Sequence, residues 1–138
     1  MSIFLGITAL AMLPQAAPAP AHQSASPSPV QAEVVRSARE WLAMVDAGRW
    51  DESWRATGAS FRSMNTSKVW ADVSEQVRVP LGAVTSRADL SHESVPAPPH
   101  GYEMVKFRTS FANKAGALET LTLVREGQAW RVVGYMIE

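Results

Sequence analysis

Apolar residues recur with a helical period along the first half of the chain and with a period of two along the second. Between Gln31 and Ala47, Val34, Ala38, Trp41 and Val45 follow the i, i+4, i+7, i+11 spacing of one helix face. Val35 and Leu42 lie beside them, and Gly48 supplies a C-terminal stop. Trp50 and Trp54, one turn apart, predict a second, shorter helix. Ser63 to Thr66 offers N-caps for a third, with Val69, Trp70, Val73 and Val77 pointing inward and Pro80 ending it. Leu81-Gly82 starts the turn into a sheet.

From Ala83 onward the alternation is that of strands. Ala83 to Val95 is a weak first strand, Pro96 to Gly101 a stiff loop, and Tyr102 to Asn113 a second strand with Val105, Phe107, Thr109 and Phe111 on one face. The closing stretch, Glu119 to Tyr135, predicts a β-hairpin about a two-residue Glu126-Gly127 turn. That register pairs Leu123 with Trp130 and Leu121 with Val132 on the inner face, sets Thr122 against Arg131 on the other, and turns Arg131, Val133 and Tyr135 outward. For the second strand to match, residues 113 and 117 pair across a three-residue loop, Lys114-Ala115-Gly116, with Gly116 left-handed. A two-residue loop would place Phe107 on the wrong side. The predicted class is α+β: three N-terminal helices packed on one face of a curved four-stranded antiparallel sheet.

Of the 138 residues, the first part is expected to lie outside this domain. Ile3 to Leu13 is an apolar run of about eleven residues, too short for the roughly twenty that a spanning helix needs. It fits the apolar segment of a secretory signal over residues 1–21, with Ala19-Pro20-Ala21 at the cleavage site, although no Lys or Arg precedes it. Residues 22–30 read as a Pro/Ser linker and 31–138 as one domain, periplasmic or secreted, with no stable membrane insertion after signal cleavage. Thirteen Lys and Arg balance thirteen Asp and Glu, and no basic cluster stands out, which argues against a nucleic-acid partner. With no cysteine, disulfides, thiol catalysis and thiolate metal sites are excluded.

An ordered series of residues then points to a family. Trp41-Leu-x-x-Val-Asp46-x-Gly48-x-Trp50-x-x-Ser53-Trp54, Trp70, Arg78-x-Pro80-Leu-Gly82, Arg87, Gly101-Tyr102, Phe107-x-Thr109-x-Phe111-x-Asn113-Lys114, Glu119 and Trp130-Arg-Val-x-Gly134-Tyr135 occur in sequence. Over about a hundred residues the chain resembles the bacterial domain-of-unknown-function family numbered four thousand and nineteen. The resemblance implies export and a cystatin-like or nuclear-transport-factor-like α+β cone. It implies no activity.

Five tryptophans are many for so small a domain. Core packing is the first reading, and truncating Trp130 would then cost roughly 3–5 kcal/mol. The alternative is an aromatic-lined pocket between helices and sheet, with Trp41, Trp54, Trp70 and Trp130 as candidates. Arg78 and Arg87 flank the Pro80-Leu-Gly82 turn. Either they bind an anionic ligand, or they pair with Asp46, Asp72 or Glu119 to pin the helix–sheet junction. Acid–base work would fall to Asp46, Asp51, Asp72 or Glu119, yet no spacing fixes two of them together. His22, His92 and His100 form no metal-binding set, so no metal, cofactor or catalytic residue is assigned. The expected function is a non-enzymatic module binding a small ligand or a protein. The alternatives are a small-molecule enzyme using a Trp-lined cone pocket and a structural domain that homodimerises through the outer sheet face.

Overall fold

The computed structural model describes residues 16–17 and 25–138. Apart from Ala16 and Ala17, the expected signal segment lies outside the described residues. Among the described residues four helices come first: α1 (Pro29–Asp46), α2 (Trp50–Arg55), α3 (Ala59–Met64) and α4 (Ser67–Leu81). Four strands follow, β1 (Val84–Val95), β2 (Tyr102–Phe111), β3 (Lys114–Glu126) and β4 (Ala129–Ile137), paired antiparallel in that order. The α+β class is as expected.

The ends of α1 follow from local chemistry. Ser28 accepts the Gln31 N–H while the Gln31 side chain returns to the Ser28 N–H, a capping box that starts the helix inside the segment assigned to the linker. At the other end Arg49 N–H reaches Met44 O and Gly48 N–H reaches Val45 O, with Gly48 at φ 69°. This is a Schellman closure, which requires the left-handed residue that glycine supplies. Val34, Ala38, Trp41, Leu42 and Val45 are buried, as the periodicity predicted.

The helix count is one higher than expected, because Thr57-Gly58 breaks the chain and Ala59–Met64 coils separately. This short helix is clamped to β4, and its Phe61 packs against the core. Gly58 N–H donates to Val132 O at 2.8 Å, and the Glu126 carboxylate accepts the Ala59 N–H at 2.9 Å, serving as a cap from another strand. The contact covers part of the free edge of β4.

The facing of α4 differs from the prediction. Trp70, Ser74 and Arg78 are buried, whereas Val69, Val73 and Val77 are about half exposed. Burial of Trp70 and Arg78 on one stripe wins because both find polar partners inside, which removes the cost of desolvating them. Nor does Pro80 end the helix at its own position. It sits in the last turn, and Gly82, at φ 77°, closes it.

Both hairpins reach the expected faces by different registers. The β2–β3 turn is the two-residue Ala112-Asn113, with Phe111 opposite Lys114, not the three-residue loop. An extra residue in β3 around Ala115-Gly116 then shifts the pairing to Thr109–Ala117 and Phe107–Glu119. Gly116 is left-handed as expected (φ 65°), but inside a bulge, and that bulge restores Phe107 to the inner face. In the closing hairpin the turn is Gly127-Gln128, so Leu123 pairs with Val132, not Trp130. A second bulge, at Val133, sets Thr122 opposite Gly134 and Leu121 opposite Tyr135. Every residue beyond it changes face. Tyr135 therefore points inward, against the expectation, and Met136 outward.

The core between α1 and the sheet comprises the buried α1 residues with Trp70, Val105, Phe107, Leu121, Leu123 and Val132.

Candidate functional site

Where α1 ends over the inner face of the sheet, four charged side chains and a tyrosine meet. Glu119, at 0% exposure, accepts from Arg87 Nε at 2.8 Å and from the Thr109 and Tyr135 hydroxyls. Asp46, the last residue of α1, accepts from Arg87 Nη1 at 2.8 Å and from Arg78 Nη2 at 2.5 Å. Arg78 Nη1 donates to the Tyr135 hydroxyl at 3.2 Å, which closes the circuit. The pairing of Arg78 and Arg87 with Asp46 and Glu119 is the structural alternative read from the sequence. Asp72 takes no part; it pairs with Lys68 on the surface.

Two arginines and two carboxylates leave this network formally neutral. Burial works to raise the Asp46 pKa, but the hydrogen bonds and charges of Arg87 and Arg78 outweigh it and hold the carboxyl below the usual aspartate value. Burial likewise opposes the charge on Arg87, and Asp46 and Glu119 more than restore it. Burial first, and the Glu119 charge second, push the Tyr135 phenol far above its ordinary range, against the opposing pull of Arg78 and Arg87. Glu119 is fully buried and already accepts from three donors.

Beside the network, aromatic rings fill the space between helices and sheet. The Trp41 and Trp70 centroids lie 5.7 Å apart, and Tyr135 stands edge-on to Trp41 at 5.3 Å. Phe61 closes the far side of Trp70 at 5.4 Å. Ser53, fully buried, satisfies both indoles: its carbonyl accepts from Trp41 Nε1 and its hydroxyl from Trp70 Nε1, each at 2.9 Å. One serine on α2 thus joins α1 and α4. Trp54 stands apart and donates to Asn65 O at 2.7 Å.

Trp130 is different. It is partly buried rather than a floor residue of the core, and its Nε1 is sealed from solvent with no partner. The 3–5 kcal/mol expected for its truncation belongs instead to Trp41. Trp130 and Trp41 line a half-open cleft of about 300 Å3 between α1 and the β3–β4 hairpin. Met44 and Val132 complete its apolar surface, and Glu33, Arg36, Glu40 and Arg131 bring both signs of charge to it.

Of the six candidate binding residues, the fold therefore joins Arg78 with Arg87 through Asp46, stacks Trp41 near Trp70, and sets Trp41 and Trp130 along one cleft. Trp54 joins neither group. Tyr135 and Ser53 were missed. Tyr135 carries no warning in the sequence, since only the bulge turns it inward. Ser53 stands between Trp50 and Trp54, and that spacing was the available signal. Also missed was a cluster at the other end of the inner face, where Glu103 accepts from Ser94 at 2.8 Å and contacts His92 Nε2 at 2.5 Å.

The sequence profile described as "Protein of unknown function (DUF4019)" matches residues 37–135, from the middle of α1 to Tyr135. The chain belongs to this family. Every member of the buried network lies within the matched span, as do Trp41, Ser53, Trp70 and Trp130. No curated protein matches the chain.

Proposed function

We propose that this member of the family is an exported, non-enzymatic module that takes a small amphipathic ligand in the cleft between α1 and the β3–β4 hairpin. The observation that carries the reading is the half-open cleft of about 300 Å3 that Trp41 and Trp130 line, with the Trp130 indole N–H buried and without an acceptor. A cleft of that size is at the lower end of those that hold small molecules. Its apolar floor suits a hydrocarbon or aromatic body, and its mixed charges suit a neutral or zwitterionic ligand over a strongly charged one.

Against an enzyme stands the engagement of the central carboxylates, Glu119 with three donors and Asp46 with two arginines. Of the carboxylates at the cleft, Glu33 is half-buried and faces Arg125, and Glu40 is exposed and faces Arg36. Export rests on the apolar Ile3–Leu13 run and Ala19-Pro20-Ala21.

Thermal-shift screening with amphipathic amides, amino acids and short peptides tests the ligand reading, because a ligand held only by the folded state raises the midpoint with concentration. At least one class is expected to do so and to move the Trp130 indole N–H resonance, with both effects suppressed in Trp130→Phe. A ligand that stabilises Trp130→Phe equally would sink the cleft as the site. Fractionation followed by N-terminal sequencing is expected to find a mature chain beginning at His22 outside the cytoplasm.

A homodimer through the outer sheet face is the second reading. Met136 and Tyr102 are exposed there, while Tyr135 no longer belongs to that face. A mass independent of concentration would count against it.

A further inference from the structure

The unexpected facing of α4 creates a second pocket. Val73 and Val77, turned outward, form its rim, and with Trp70 and Ile137 they wall a space of about 170 Å3 between α4 and β4. Its polar lining comes from Ser74 and Arg78, at 4% and 6% exposure, and from Tyr135. The Ser74 hydroxyl and Arg78 Nε are both buried and without a hydrogen-bond partner. Arg78's other nitrogens are engaged, Nη1 by the Tyr135 hydroxyl and Nη2 by Asp46.

These groups restrict what the pocket can take. A guanidinium Nε–H only donates, and a serine hydroxyl can donate beside it, so the missing partner is an acceptor oxygen. The four charges around Arg78 already balance. An anion would add a fifth, buried and without a counter-charge, and its desolvation would oppose binding. A neutral carbonyl oxygen adds none. The volume leaves room for a body on the order of five or six heavy atoms, at roughly 30 Å3 for each water-sized unit. Trp70, Val73, Val77 and Ile137 would surround it with hydrocarbon.

We propose that the pocket between α4 and β4 binds a small, neutral, carbonyl-bearing molecule with a branched aliphatic body, its oxygen accepting from Arg78 Nε–H and the Ser74 hydroxyl. Entry is past Val77, which stands half exposed at the rim. No lining residue is shared with the cleft at Trp130, although Trp41 of that cleft touches Trp70 and Tyr135 of this pocket.

The test uses the full chain, isotopically labelled, titrated with isobutyramide and, separately, isobutyrate. The Arg78 Nε–H and Trp70 indole resonances report on this pocket, and the Trp130 indole reports on the other cleft. Isobutyramide is expected to shift the first two saturably in the millimolar range and to leave Trp130 in place. Ser74→Ala should weaken it about two- to tenfold, the loss of one hydrogen bond. Val77→Phe, at an exposed helix position, should block it while the remaining spectrum stays native. Tighter binding of isobutyrate overturns the choice of a neutral ligand. Absence of a saturable shift, or a Val77→Phe variant that titrates like the parent, overturns the site; an unchanged affinity in Ser74→Ala overturns the hydrogen-bond assignment.

Discussion

The inner face of the sheet carries a glutamate at each end, and the two are held differently. Glu119 receives donors from three strands, Arg87 on β1, Thr109 on β2 and Tyr135 on β4, and Arg87 passes the connection to α1 through Asp46. Glu103 is met only from the neighbouring β1, by His92 and Ser94. At the Glu119 end the four charges pair with one another, and Arg78 Nε and the Ser74 hydroxyl beside them stay without partners. Near the Glu103 end, His92 Nδ1 and Trp130 Nε1 remain without partners. A polar group that joins several elements holds the fold together, whereas one bonded within a single strand pair secures only that pair.

The largest expected difference comes from removing each carboxylate in turn. Glu119→Ala leaves Arg87 short of a buried partner and should cost about 3–5 kcal/mol. Glu103→Ala loses contacts within one strand pair and should cost about 1 kcal/mol. Urea denaturation of both variants measures the gap, and equal losses would erase the distinction. Next in size is Ser53→Ala, which strips the buried Trp70 indole of its acceptor and should cost about 1–3 kcal/mol by the same measurement.

The closed end should also show in the pH dependence. The folded-state pKa of Asp46 is depressed, so its contribution is present above the unfolded value and lost as pH falls below about 4. Tyr135 is raised, so its contribution is full below about pH 10 and declines as pH rises beyond it. Asp46→Asn should flatten the acid limb of a stability–pH curve and Tyr135→Phe the alkaline limb. An acid limb as steep in Asp46→Asn as in the parent would show that other carboxylates control it.

Much of this architecture was legible in the sequence, and the exceptions have physical causes. The face of α1 could be read because a single apolar stripe settles it. The face of α4 could not, since counting valines favours Val69, Val73 and Val77. The burial of Arg78 depends on Asp46 and Tyr135, which lie 32 and 57 residues away. Strand alternation placed Val105, Phe107, Leu121 and Leu123 correctly despite wrong registers, because both register errors were even and kept each residue on its face. A bulge reverses that protection. The extra residue at Val133 has no side-chain signature, yet it moves Tyr135 from the outer face into the network. Arg78 and Arg87 were readable as partners of Asp46 and Glu119 because a charge inside a small domain must be answered. An aromatic-lined pocket with Trp41 and Trp130 among its candidates could be named, but its place between α1 and the β3–β4 hairpin could not, since an unfilled space leaves no periodic trace.

The smallest effect on stability is expected where the proposed binding is strongest. Trp130→Phe keeps an aromatic ring at a partly buried position and removes an N–H that has no partner. No hydrogen bond is lost, and the desolvation of an unpaired donor is relieved. That relief offsets the packing lost with the smaller ring, so stability should move by no more than about 0.5 kcal/mol. Trp41→Phe removes the same atoms at a buried site whose N–H is bonded to Ser53, and should cost about 1–3 kcal/mol. If the two variants lose stability equally, Trp130 belongs to the framework, and the cleft beside it is a packing defect and not a binding site.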